Sequence, residues 1–232
     1  MEFAYLPDEA IDHEAERLRQ DALGLRARDI PVDLDAIVYD HLCEHEGLII
    51  CDDVELADED GETVLGKLEV GAGRIHISAS LKTDRGRYRF TLAHELGHWR
   101  LHRPMILAGA DQGSLFSSTG GNGQTMTTLN RGITGLKPPR HEIQANRFAA
   151  ALLISPSALR REVSTRFGDT GIRELLQGMP PNASIRDRGR FIAAHEVNAL
   201  APLATAFDVS LEAMAIALES RGFLTTSSPT LF

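Results

Sequence analysis

The stretch FTLAHELGHWRLH, residues 90–102, places histidines at 94, 98 and 102 and a glutamate beside the first of them. His94-Glu95-Leu96-Gly97-His98 is an H-E-x-x-H pattern. On a helix, His94 and His98 lie one turn apart on the same face, so both imidazoles can reach one ion. Glu95 lies about 100° round the helix, near the ion but off the ligand axis. There it can take a proton from metal-bound water, which is a general-base role. Phe90, Leu92, Ala93, Leu96 and Leu101 flank the pattern and make a helix that can be buried. The competing reading is a hydrogen-bonded histidine pair with no ion.

A catalytic zinc takes three protein ligands and leaves a fourth position open. His102 is the nearest third candidate. The pattern in which a third histidine follows closely puts it six residues after the second, and that position here is Pro104. His102 continues the same helix, about 6 Å further along the axis than His98. It reads as a group that supports a ligand from behind, touches substrate, or has no part in the site.

EIQANRFAAALLISP, residues 142–156, supplies a better ligand. Ala145, Phe148, Ala149, Leu152 and Leu153 form an apolar stripe at helical spacing, and Glu142 extends that stripe back by one turn. A carboxylate aimed inward requires a partner, and the ion would be that partner. The alternative is that Glu142 only complements the helix dipole. Asn146, one turn on, is placed to orient a histidine ligand from behind. Tyr88, His102 and His141 are candidates for stabilising an oxyanion.

These residues need elements to hold them. Residues 8–23 read as an amphipathic helix on Ala10, Ile11, Ala15, Leu18 and Ala22. A second helix runs over about 33–45, with Asp33 as its N-cap. LIICDDVEL, ETVLGKLEV and RIHISAS then read as strands separated by turn residues, and an antiparallel meander is the economical arrangement. Its RIHISAS edge offers a place for an extended substrate to add as a further strand. Pro104 should stop the active helix nearby. Residues 105–140 are rich in Gly, Ser and Thr and read as a long loop, of a length that is usually functional or disordered. Helices resume at about 141 and continue to about 221. Within them, FDVSLEAM reads as the turn of a helix-turn-helix-like pair.

Three stretches, RYRFTLAHELGHWRLH, EIQANRFAAALLISP and LAPLATAFDVSLEAMAIALESRGF, resemble in order the signatures of the ImmA/IrrE family of zinc metallo-endopeptidases. The IPVDLDAIVYDHL helix and the strands before the active helix belong to the resemblance, which covers most of residues 8–224. It implies an α+β, zincin-like core of a small antiparallel sheet and active-site helices, with a gluzincin-like ligand set. His94, His98 and Glu142 would hold one Zn2+, and Glu95 would be the catalytic base. The implied substrate is a helix-turn-helix repressor of the Xre type, cut to release its genes in a stress, DNA-damage or mobile-element response. The chain departs from the family in its long 105–140 segment, and no sensor domain is expected after residue 224. The expected division is a metallopeptidase domain over 1–156 and a helical C-terminal region over 157–232.

Bulk properties set limits. The chain has 232 residues, 43% of them hydrophobic and 25% charged, as in ordinary globular proteins. Residues 1–70 carry 21 acids and 5 bases, whereas the remainder carries 12 and 19. A net charge of −9 argues against binding by phosphate neutralisation. The acidic front could instead steer a basic partner such as a DNA-binding protein. Residues 200–220 hold no lysine or arginine, so the helix-turn-helix-like pair reads as a packing or repressor-docking element rather than a DNA reader. Two cysteines, Cys43 and Cys51, and no export signal or apolar span point to free thiols in the cytoplasm, with no membrane partner. Two further functions remain open: a zinc-containing anti-repressor that binds without cutting, and a DNA-binding regulator with a relict metal site.

Overall fold

The computed structural model describes residues 4–57, 63–113, 125–129, 138–168, 172–173, 184–195 and 197–225. It is a mixed α+β structure, mostly helical. The chain forms two compact units: Met1–Ala27 with Asp33–Leu152, and Arg28–Val32 with Leu153–Phe232.

The first unit opens with α1 (Asp8–Leu23), as its period predicts. Ile11, Ala15, Leu18 and Leu23 are buried, but Ala10 is exposed and Ala22 only half-buried. Arg19 is buried instead. Its guanidinium donates to the carbonyls of Leu152 (2.8 Å) and Ala27 (3.0 Å), groups at a helix end that would otherwise lack partners. Asp33 caps the next helix, its Oδ1 accepting from the Ala36 N–H at 3.0 Å. That helix is π-helical over Ala36–Cys43, then passes into the one-turn α2 (Glu44–Glu46) and ends at Gly47, whose φ is 70°.

The sheet comprises β1 (Ile49–Cys51), β2 (Leu56–Ala57), β3 (Thr63–Glu69), β4 (Arg74–Ile77) and β5 (Thr125–Leu129). Strands β2, β3 and β4 follow one another antiparallel, as a meander does. The expected meander fails for β1, which lies beyond β4 and pairs with it in parallel. The LIICDDVEL run breaks at its paired aspartates and supplies strands to two different places in the sheet. Consequently RIHI is not an edge: β4 is bonded on one side by β1 and on the other by β3. An added substrate strand has no place there. β5 comes from the segment read as a loop and pairs antiparallel with β3, Thr128 opposite Gly66.

Val64, Leu68, Ile75 and Ile77 alternate along β3 and β4 and are buried. Against the sheet packs α3 (Arg85–Gly97), capped by Asp84, which accepts from the Arg87 N–H at 3.1 Å. Pro104 does not stop this helix. A π-helical stretch, His98–His102, follows α3, and α4 (Arg103–Gly113) continues it. The Arg103 N–H bonds to the His98 carbonyl five residues back, so the i→i−4 ladder is already interrupted just ahead of Pro104, where a missing N–H does least harm. The unit ends on α5 (Arg140–Leu153), whose stripe Ala145, Phe148, Ala149 and Leu152 is fully buried.

The second unit contains α6 (Pro156–Phe167), β6 (Ile172–Arg173), α7 (Ile185–His195), α8 (Val197–Phe207), α9 (Leu211–Ser220) and β7 (Leu224–Thr225), with β6 and β7 paired in parallel. Ser210 caps α9, accepting from the Ala213 N–H at 3.1 Å. α8 and α9 meet at 102°, within the range of helix-turn-helix pairs. Among the described residues, no single helix is long and apolar enough to cross a membrane. Cys43 and Cys51 are both free.

Candidate metal centre

The helix carrying His94 and His98 is buried on nearly every side from Thr91 to Trp99. His94 is 2% exposed and His98 not at all. Their Nε2 atoms lie 3.0 Å apart, with the rings edge to face. Both nitrogens face Glu142. Its Oε2 lies 3.3 Å from His94 Nε2 and its Oε1 3.3 Å from His98 Nε2. The three side chains form a group able to hold a metal ion.

Glycine sets this approach. A Cβ on Gly97 would lie 3.0 Å from the Cα and 3.1 Å from the carbonyl oxygen of Ala145. α3 and α5 therefore cross backbone to backbone, and Glu142, one turn before Ala145, comes within reach of both rings. A second glycine seats the base. A Cβ on Gly66 of β3 would fall 2.5 Å from Glu95 Oε1 and 2.8 Å from Thr91 Cγ2, so the strand lies directly on Glu95. The Glu95 side chain is fully buried.

The donor set fits a cation. Asn146 Oδ1 lies 3.1 Å from His94 Nδ1. The amide oxygen can only accept, so His94 carries its proton on Nδ1 and turns the Nε2 lone pair toward Glu142. A lone pair and a carboxylate facing each other require a shared proton or a cation between them. The electrostatics agree. Burial works against a charged His94, yet the Glu142 hydrogen bond and the charges of Glu95 and Glu142 outweigh it and raise the pKa. Burial lowers His98 from 6.5 to about 4, although Glu142 pulls the other way. Burial would raise Glu142, but its bonds to His94 and His98 hold it well below the usual carboxylate range. Two acidic side chains thus share a buried site where only one ring accepts a proton readily.

The other expected residues separate. His141 joins the cluster, its Nε2 3.4 Å from Glu142 Oε1. His102 sits behind His98, with Nδ1 facing Nδ1 at 2.9 Å, and is not in the metal-ligand group. Tyr88 does not join. It lies six residues before His94, about 9 Å along the axis and on another face, and its hydroxyl donates to Asp52 at 3.0 Å. Burial, then Tyr39 and the bonded Asp52, push that phenol well above its ordinary value.

No family model matches the chain, and no curated protein matches it. A solved structure of a Mycobacterium tuberculosis transcriptional regulator is similar, with a TM-score of 0.50 at 16% identity. The match covers 96% of this chain and 48% of that one, so this chain spans about half the length of that regulator. The likeness is one of fold.

Three contributors do not stand out in the sequence as site residues. Gly66, inside a strand, and Gly97, inside a helix, each carry the signal of a close backbone approach. Gln144 carries none. It lies about 200° round α5 from Glu142, yet its Oε1 is 3.0 Å from His102 Nε2.

Proposed function

We propose that this chain is a zinc-dependent endopeptidase with a gluzincin-like ligand set that cleaves a helix-turn-helix repressor of the Xre type, as its ImmA/IrrE resemblance implies. The observation that carries the reading is the approach of Glu142 to both rings, Oε2 to His94 Nε2 and Oε1 to His98 Nε2, each at 3.3 Å, next to a buried Glu95.

His94, His98 and Glu142 would hold the ion. Zinc bound there supplies a Lewis acid and lowers the pKa of water toward neutrality. Glu95, pinned between α3 and the backbone of β3, accepts the proton of the attacking water and returns it to the leaving amine. Asn146 holds the His94 ring in its ligating orientation. Among the three oxyanion candidates, Tyr88 is engaged by Asp52 and His102 is buried. His141, 27% exposed beside Glu142, is the one that can meet a substrate carbonyl.

The repressor as substrate rests on the resemblance and on charge. The acidic first 70 residues complement a basic DNA-binding protein. The similar solved structure is itself named a transcriptional regulator, which suits that setting.

The test pairs metal analysis with cleavage. Purified protein should carry one zinc by elemental mass spectrometry, and should cut a helix-turn-helix repressor encoded beside its gene into discrete fragments. Glu95→Gln should keep zinc and lose cleavage. If both forms leave the repressor intact yet equally unable to bind its operator, the protein is an anti-repressor and not a hydrolase.

A further inference from the structure

We propose that His102 and Gln144 are positioning residues: they pass a fixed direction of hydrogen bonding from the carbonyl of Ala4 to His98, and so keep the His98 Nε2 lone pair available to a metal. This rests on the metal-site reading above.

Bond direction is unambiguous at the end furthest from the metal. The Ala4 carbonyl can only accept, and Gln144 Nε2 lies 3.0 Å from it. The amide nitrogen therefore faces Ala4 and the amide oxygen faces His102. That oxygen also only accepts, so the proton of His102 sits on Nε2, 3.0 Å away. A neutral His102 then presents a bare Nδ1. It lies 2.9 Å from His98 Nδ1, which must donate. With its proton on Nδ1, a neutral His98 has its lone pair on Nε2, directed at His94 and Glu142.

The three side chains are buried, His98 and His102 at 0% exposed and Gln144 at 4%, while Ala4 at the outer end is exposed. Water therefore does not compete for the His98–His102 and His102–Gln144 bonds, and their direction sets the tautomer. Histidine ligands usually donate their second N–H to a carboxylate or carbonyl. Here an imidazole takes that place, and it needs Gln144 to set its own tautomer. Across the π-helical stretch His98–His102 the two ring centroids lie 5.0 Å apart with Nδ1 facing Nδ1.

Two measurements on the full chain decide the matter. Long-range 1H–15N correlation spectra report imidazole tautomers directly. The expected result is His98 protonated on Nδ1 and His102 on Nε2, with or without zinc. His102 protonated on Nδ1, or His98 on Nε2, overturns the proposal. The second is zinc competition against a chromogenic chelator. His102→Leu removes the acceptor and should weaken zinc binding about 10–100-fold, the usual cost of losing such a partner. His102→Asn, whose amide oxygen can take the place of Nδ1, should restore most of that loss, and Gln144→Leu should fall between them. Equal zinc affinity in wild type and His102→Leu overturns the proposal, as does equal loss in the Leu and Asn variants, which marks a merely structural role. A wild type that binds no zinc sinks the metal-site reading, while the spectra still decide the tautomers.

Discussion

The α3–α5 crossing and the α8–α9 pair each set two helices in close contact, and they differ in what they bury. At the first, two buried imidazoles turn toward the carboxylate of a half-buried Glu142. At the second, the buried side chains include Leu200, Leu203, Phe207, Met214, Ala217 and Leu218, all apolar, and the acids at its margin meet arginines of α7, Arg188 with Glu219 and Arg190 with Glu212. The α8–α9 angle suits a helix-turn-helix, yet residues 200–220 offer no cation to phosphate. Helix geometry alone therefore says little about function. Buried polar groups that cannot satisfy one another say much more.

Four experiments sharpen or break this contrast. The largest effect belongs to Glu95→Gln, which should cut the rate of repressor cleavage about 10²–10⁴-fold. Cleavage at the wild-type rate would remove the active site from this crossing.

Next comes acid sensitivity once zinc is stripped by a chelator. His98 and His102 are both lowered from 6.5 to about 4, chiefly by burial. Below pH 6.5 the unfolded chain gains protons that the folded rings refuse until about pH 4. Stability should therefore fall as pH drops from 6.5 to 4, by about 3 kcal/mol for one such ring. His94, raised, works in the opposite sense: its contribution is full below 6.5 and is lost as pH rises through its folded value. Between pH 6.5 and 4 the His94 contribution is therefore constant, and the two lowered rings alone set a net loss on acidification, measured as the denaturant midpoint against pH. A flat profile would show that the rings are not held neutral by burial.

Gly97→Ala adds a Cβ within about 3 Å of the α5 backbone. Overpacking of this kind costs about 1–3 kcal/mol, and moving α5 also moves Glu142, so melting temperature and zinc affinity should fall together. A loss of stability with zinc affinity intact would uncouple the glycine from the metal.

The smallest effect belongs to the α8–α9 region. Arg190→Ala breaks a largely exposed ion pair and should cost no more than about 1 kcal/mol. Operator DNA should show no gel shift with either form. A salt-dependent shift lost on this substitution would make the second unit a DNA reader after all.

What local periodicity governs is legible in the order of amino acids. The bounds of α1, the Asp33 cap and the common face of His94 and His98 follow from a 3.6-residue repeat and neighbouring side chains. The inward placement of Glu142 follows from its stripe, because a helix carries its pattern along a single chain segment. Strand order does not: whether β1 pairs with β2 or β4 depends on residues about 25 positions away. Pro104 misleads for a related reason, since a π-turn just upstream has already interrupted the i→i−4 ladder where its missing donor would be felt. His102 can be placed near His98 by counting residues. Its bond direction is set by Gln144, on a helix 42 positions away, and by the Ala4 carbonyl at the far end of the chain. Sequence alone determined which residue types could meet an ion. The tertiary structure decided how closely they meet and which nitrogen faces it, because close approach and proton direction belong to pairs of segments that only folding brings together.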